Sequence, residues 1–207
     1  MRIIHITGPI GSGKTTIDMC LREELNAISI KGDTARVDDV LFIGRIHKRR
    51  MCEYTDDLIK FGGLDDYLSK YNHNIDDLMN DIKRERAFGA KYCVMSGIRG
   101  GIKKHIDKFS EHEFHEIISL RGAERVQRQR EKRRGYKGNA QELANITKEI
   151  DYYKNEIERW KDLEKKYSNV HLTVFNKSML FTERMKYILD LLDKPARTSG
   201  YYKRKFF

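Results

Sequence analysis

The stretch IIHITGPIGSGKTTIDMC, residues 3–20, sets three glycines and a proline between an apolar run and an amphipathic one. Gly8, four residues, Gly13, Lys14 and Thr15 match the phosphate-binding loop G-x-x-x-x-G-K-[ST] in full. Such a loop turns successive backbone N–H groups toward an anionic oxygen cluster. Gly11 and Gly13 are the residues that let the backbone approach a phosphate with no Cβ in the way. The run RIIHIT before it reads as a short buried strand, and Ile17, Leu21 and Leu25, four apart, give one face of a helix after it. A strand, a glycine-rich turn and a helix whose dipole points at the turn form a nucleoside triphosphate site. The spacing predicts a nucleoside triphosphate held by Gly8, Gly11, Ser12, Gly13, Lys14, Thr15 and Thr16. Lys14 is expected at the β/γ-phosphates and the Thr15 hydroxyl on Mg²⁺.

That opening commits the rest of the chain to an α/β design. Five parallel strands are expected at residues 2–7, 27–33, 90–97, 114–120 and 170–176. Residues 37–89 read as a mostly helical acceptor-binding region, 122–134 as a basic helix, 140–167 as a long charged helix and 179–192 as a closing amphipathic helix. Alternation of this kind gives a parallel sheet covered on both faces, with ligands at the carboxyl ends of the strands. The 207 residues carry two prolines, Pro9 and Pro195, and no linker-like run. One domain over residues 1–193 is therefore expected, with a basic aromatic tail at 194–207. No signal peptide and no apolar run long enough to span a bilayer is evident. Cys20, Cys52 and Cys93 have no C-x-x-C spacing, which suits packed thiols in a reducing, cytoplasmic setting. His105, His112 and His115 show no carboxylate or cysteine at ligand spacing, so zinc is not expected there.

Candidate site residues follow the expected strands. Asp33 and Arg36, in GDTAR, would offer a carboxylate and a clamp to an acceptor; the other reading is a helix N-cap beside a solvated arginine. Arg99, in SGIRGG, would grip an acceptor phosphate bidentately. The segment LRGAERVQRQREKRRG holds six arginines and little apolar surface. It reads as a lid over residues 121–139 that closes on the triphosphate, with Arg128, Arg130 and Arg134 preferred; the alternative is a solvated basic helix. The strand at 90–97 ends in Ser96-Gly97, where many phosphate-loop ATPases and GTPases carry an aspartate for Mg²⁺. No N-K-x-D guanine motif is present, which argues against a GTPase switch.

A net charge of +10 favours anionic partners, nucleotides and nucleic acid alike. The tail RTSGYYKRKFF mixes cations with aromatic rings, a composition that suits phosphate contacts and base stacking, or else a disordered end or one that docks on another copy. The oligomeric state is left open, and no membrane partner is expected.

In these pieces the chain resembles the small P-loop kinases of nucleosides and nucleotides, in particular the phage-type deoxynucleoside monophosphate kinases and dephospho-coenzyme-A-kinase-like proteins. The matching landmarks are GPIGSGKTT, GDTAR, CVMSGIRGG, RQREKRRG and VFNKSMLFTERM, in order through about residues 1–192. The resemblance implies a three-layer P-loop kinase fold with a helical substrate region and an arginine-rich lid. It also implies ATP and Mg²⁺ as cofactors and γ-phosphoryl transfer to a nucleotide, a deoxynucleoside monophosphate first. Aspartate, two residues and arginine, with a basic lid, is also the pattern of polynucleotide 5′-hydroxyl kinases and of kinases of hydroxymethylated DNA bases. That makes a hydroxyl on DNA or RNA the second acceptor class. The missing acidic residue keeps a third: a non-catalytic protein that binds nucleotide and nucleic acid.

Overall fold

The computed structural model describes residues 1–9, 12–31, 34–44, 75–96, 102–120, 140–176 and 178–196. Seven strands form one sheet: β1 (Arg2–Thr7), β2 (Ile28–Lys31), β3 (Thr34–Val37), β4 (Val40–Gly44), β5 (Tyr92–Ser96), β6 (Glu113–Ser119) and β7 (Val170–Phe175). Four α-helices accompany them among the described residues: α1 (Lys14–Glu24), α2 (Ile75–Ala87), α3 (Ala140–Lys166) and α4 (Phe181–Leu191). A 3₁₀ segment, Lys103–Phe109, links β5 to β6.

The sheet order is β2-β3-β4-β5-β1-β6-β7. Strands β4, β5, β1, β6 and β7 are parallel, while β2 and β3 add an antiparallel hairpin at one edge. The expected number of parallel strands is met, but one of them is a different segment. Residues 28–31 are the outer edge of the hairpin, and VLFIG, inside the region expected to be helical, is the parallel strand beside β5. Asp38 and Asp39 form the tight turn between the paired Val37 and Val40, and Asp38 takes a positive φ of 46°. Aspartate tolerates that conformation because its short polar side chain can satisfy the local backbone. Two valines flanking a pair of aspartates are the sequence signal of this hairpin.

Alternation along the parallel strands sends side chains to two cores, giving three layers. Ile3, Leu41, Cys93, Met95, Phe114 and Ile118 pack with Leu78 and Ile82 of α2 and with Tyr153 and Trp160 of α3. Phe114 is stacked on Trp160 at 5.6 Å between ring centroids. On the other face Ile4, Ile6, Phe42, Val94, Ile117 and Phe175 meet Ile17, Cys20 and Leu21 of α1 and Met185, Ile188 and Leu189 of α4. Burial pushes the Cys20 thiol up to about 12, with Glu23 and Glu24 adding to the effect, so it behaves as an apolar group at neutral pH. No described helix is long and apolar enough to cross a membrane.

β1 lies between β5 and β6, and the chain winds to one side of it before crossing to the other. In open parallel sheets that reversal leaves a crevice outside the carboxyl end of the central strand. The glycine-rich loop begins there.

Candidate nucleotide site

The loop is fastened to the sheet from below. Gly8 has φ of 140°, and a Cβ on it would stand 2.2 Å from the Ser119 carbonyl oxygen and 2.8 Å from Ser12 Oγ. Only glycine lets β1 leave the sheet so close to the end of β6. Ser119, the last residue of β6 and fully buried, donates its hydroxyl to the Ser12 carbonyl at 2.9 Å. The Ser12 N–H closes a turn on the Pro9 carbonyl at 3.1 Å. Gly13 then takes the left-handed conformation, with φ of 87°, and caps α1 without any side-chain hydrogen bond. The first intrahelical bond runs from the Ile17 N–H to the Gly13 carbonyl at 2.9 Å. The N–H groups ahead of it lie at the positive end of the helix, which is the arrangement that receives an anion.

Lys14 folds back over this loop. Its ammonium donates to the carbonyls of Gly8 and Pro9, the latter at 2.8 Å, and to Ser12 Oγ at 3.2 Å. The positive charge thus lies across the loop itself, tethered by neutral carbonyls that a triphosphate can outcompete. Thr15 and Thr16 are exposed in the first turn of α1, and a hydroxyl there is a hard oxygen donor suited to Mg²⁺. Loop, lysine and hydroxyl fit ATP and its metal.

Three further groups at this site were not legible in the sequence. Glu116, in β6, is 1 % exposed and accepts from Thr7 Oγ1 at 2.5 Å, while its other oxygen meets His5 Nδ1 at 2.6 Å. This buried carboxyl group therefore ties β6 to the last residue of β1 before the loop. Arg184, in α4, is 5 % exposed, and its Nη1 lies 3.9 Å from where a Gly13 Cβ would stand. Its guanidinium also covers the Phe181 ring at 5.6 Å. A buried cation thus stands behind the start of α1. Ser119 is the third, since a serine closing a buried strand carries no distinctive signal. Replacing Glu116 by alanine strips His5 and Thr7 of their partner, and a loss of about 3 kcal/mol in unfolding free energy is expected from urea titration. A change below about 1 kcal/mol would show the tie to be dispensable.

The structure does not bring Arg36 to the loop. It lies in β3, its Nε donates to the Asp38 carbonyl at 3.0 Å, Nη1 to Glu85 Oε2 at 3.4 Å and Nη2 to the Phe88 carbonyl. Its cross-strand partner is Leu41, near the start of β4. Arg36 consequently fastens the end of α2 to the hairpin, toward the amino-terminal edge of the parallel strands. The cause is the antiparallel hairpin, which reverses the direction in which residues 34–37 run. Asp33, Gly11, Arg99, Arg128, Arg130 and Arg134 lie outside the described residues. The described ends of β5 and β6, Ser96 and Ser119, lie at the loop's edge of the sheet. Ser96, at the end of β5, is buried level with Ile6. Asn176, just past β7, accepts from the N–H groups of Ser178 and Met179 and from the Ser178 hydroxyl, and so shapes the turn into α4.

A phosphate loop at the switch point of a parallel sheet makes this an α/β protein with an anion-receiving crevice. No family model matches the chain, and no curated protein matches it. Among solved structures it is similar to a shikimate kinase from Bacteroides thetaiotaomicron, with 16 % identity, TM-score 0.38, and coverage of 93 % of this chain and 98 % of that one. It is also similar to a deoxyadenosine kinase from M. mycoides with bound dATP, with 12 % identity, TM-score 0.46, and coverage of 94 % and 100 %. A third is a structure of the PezAT toxin–antitoxin system of Streptococcus pneumoniae, with 13 % identity, TM-score 0.39, and coverage of 98 % and 83 %. Likenesses at these levels say nothing of what this chain acts on.

Proposed function

We propose that the chain is an ATP-dependent phosphotransferase that moves the γ-phosphoryl group to a nucleotide acceptor, with a deoxynucleoside monophosphate as the favoured one. The observation that carries this is Lys14 lying across a loop that Gly8 and Ser119 hold against β6, at the switch point of the sheet. Phosphoryl transfer asks a protein for position and positive charge, with little covalent chemistry. In this proposal the first-turn N–H groups and Lys14 hold the β- and γ-phosphates, and Arg184 adds charge behind the helix start. Thr15 would hold Mg²⁺, which would supply charge neutralisation at the phosphates. Asp33 orients the acceptor and Arg99 grips its phosphate. Arg128, Arg130 and Arg134, of the arginine-rich run that follows β6 in sequence, are proposed to close over the triphosphate and exclude water. Arg36 is left out because Glu85 and two carbonyls already engage it.

Transfer from ATP labelled at the γ-phosphate, assayed against deoxynucleoside monophosphates, nucleosides, and single- and double-stranded oligonucleotides, tests the proposal. Label on a monophosphate is the expected result; label on none of the panel would remove the kinase reading.

The charge of +10 and the basic aromatic tail favour a second acceptor, a hydroxyl on nucleic acid. Deleting residues 196–207 separates the two. With a monophosphate acceptor, kcat/KM should stay within about twofold, because a crevice site at the carboxyl edge does not need the tail. With an oligonucleotide, KM should rise, and the salt dependence should flatten by roughly 0.7–0.9 for each lost phosphate contact.

A further inference from the structure

At the end of the sheet opposite the phosphate loop, Glu113, His115 and His171 bring three ligand atoms within 4.8 Å of one another. Their convergence follows from register. Glu113 and His115 are two apart on β6 and share a face, and His115 stands directly across from His171 on β7. The two imidazoles lie 4.7 Å apart between centroids, tilted by 33°. His115 Nε2 meets Glu113 Oε1 at 2.8 Å. The other Glu113 oxygen accepts from Arg2 Nε at 2.9 Å, and Arg2 is itself held by the Leu191 carbonyl at 2.6 Å. One carboxylate oxygen is thus fixed from behind while the other faces the histidines.

His115 is 7 % exposed, and its Nδ1, which is buried with no hydrogen-bond partner, takes no part in the contact between Nε2 and Glu113. We infer that Glu113, His115 and His171 form a binding site for a divalent first-row transition-metal ion, with zinc as the best match. Two imidazole nitrogens and one carboxylate oxygen suit zinc, whereas magnesium and calcium want oxygen donors throughout. The ion takes the place of the proton between His115 Nε2 and Glu113 Oε1. The neutral ring then carries its proton on Nδ1, so the atom without a partner is the same as before and no new one is created. Tetrahedral donors around zinc stand roughly 3.3 Å apart, so the cluster must contract by at most about 1.5 Å. His171, half-buried near the start of β7, is the member with room to move. Arg2 orients the carboxylate as metal-site outer partners do, and its charge tempers the affinity. Three protein ligands leave a position for water.

The site shares no residue with the phosphate loop, so it holds or fails independently of the kinase proposal. A bound ion would pin β6 to β7 at the edge where the parallel strands begin. The test uses the full chain, stripped with a chelator and titrated with Zn²⁺ against a chromophoric chelator. One equivalent is expected, with a Tm that rises as zinc is added. His171→Ala, at the partly exposed position, should weaken that binding at least tenfold while leaving ATP binding unchanged, and Glu113→Gln should weaken it as well. Absence of stoichiometric binding would overturn the proposal. So would binding that both variants leave intact, since the zinc would then sit on other histidines or cysteines.

Discussion

Replacing Gly8 by alanine is expected to destabilise the protein by about 4 kcal/mol and to abolish nucleotide binding, adding an overpacking cost to a strained backbone. The obstacle is a backbone atom: the new Cβ would stand 2.2 Å from the Ser119 carbonyl oxygen, and φ is 140°. A side chain could swing away, but Ser119 is the last residue of a central strand and cannot. Relief comes only by parting the ends of β1 and β6, which breaks the bond from Ser119 Oγ to the Ser12 carbonyl and displaces the loop. Gly13 supplies the contrast. Its φ is 87°, but its Cβ would find nothing closer than Arg184 Nη1 at 3.9 Å, so Gly13→Ala should cost only about 1–2 kcal/mol, the left-handed penalty alone. Chemical denaturation of both variants, with ATP titration by calorimetry, measures the difference. Equal losses for the two would show that backbone strain, and not the close approach to β6, governs the loop.

Lys14→Ala should leave the fold intact and lower phosphoryl transfer by about 10²- to 10³-fold, roughly 3–4 kcal/mol of transition-state stabilisation. The ammonium is the loop's own cation, and its present partners are the carbonyls of Gly8 and Pro9 and the Ser12 hydroxyl, all part of the same loop. Lys14 is only half-buried, so water can take the place of its ammonium on those groups, and an unfolding free energy within about 1 kcal/mol of the parent is expected. Steady-state kinetics with urea titration of the same preparation separates the two effects. A folded variant that keeps its turnover would remove Lys14 from the chemistry and the kinase proposal with it.

Much of the fold was legible because its signals are local. Four of the five parallel strands, the long charged helix and the closing helix follow from runs and periods that a short window contains. VLFIG escapes because four apolar residues and a glycine after two aspartates fit a helix as well as a strand, and only the hairpin partner in β3 settles the matter. The misplaced strand carried Arg36 with it. An arginine three residues past a parallel strand would face the phosphates; the same arginine inside a reversing hairpin faces Glu85 and Phe88. Sequence spacing alone gives His115 no zinc pattern. Its metal-ligating partner across the sheet is 56 positions away, in β7.

The sequence by itself determined the phosphate loop, since a strand end, two glycines, a lysine and a threonine at fixed spacing lie within one turn of chain. It also determined the parallel α/β class, because the alternation of buried strands and amphipathic helices is written in period and length. Only the tertiary structure decided what stands around that loop. Glu116 and Thr7 are 109 residues apart, His5 and Glu116 are 111 apart, and no local pattern relates them. Their meeting depends on the register between β1 and β6, in which a slip of one residue would turn every side chain to the other face. That register is set by packing summed over both cores, a property of the whole sheet that no short stretch of the chain contains.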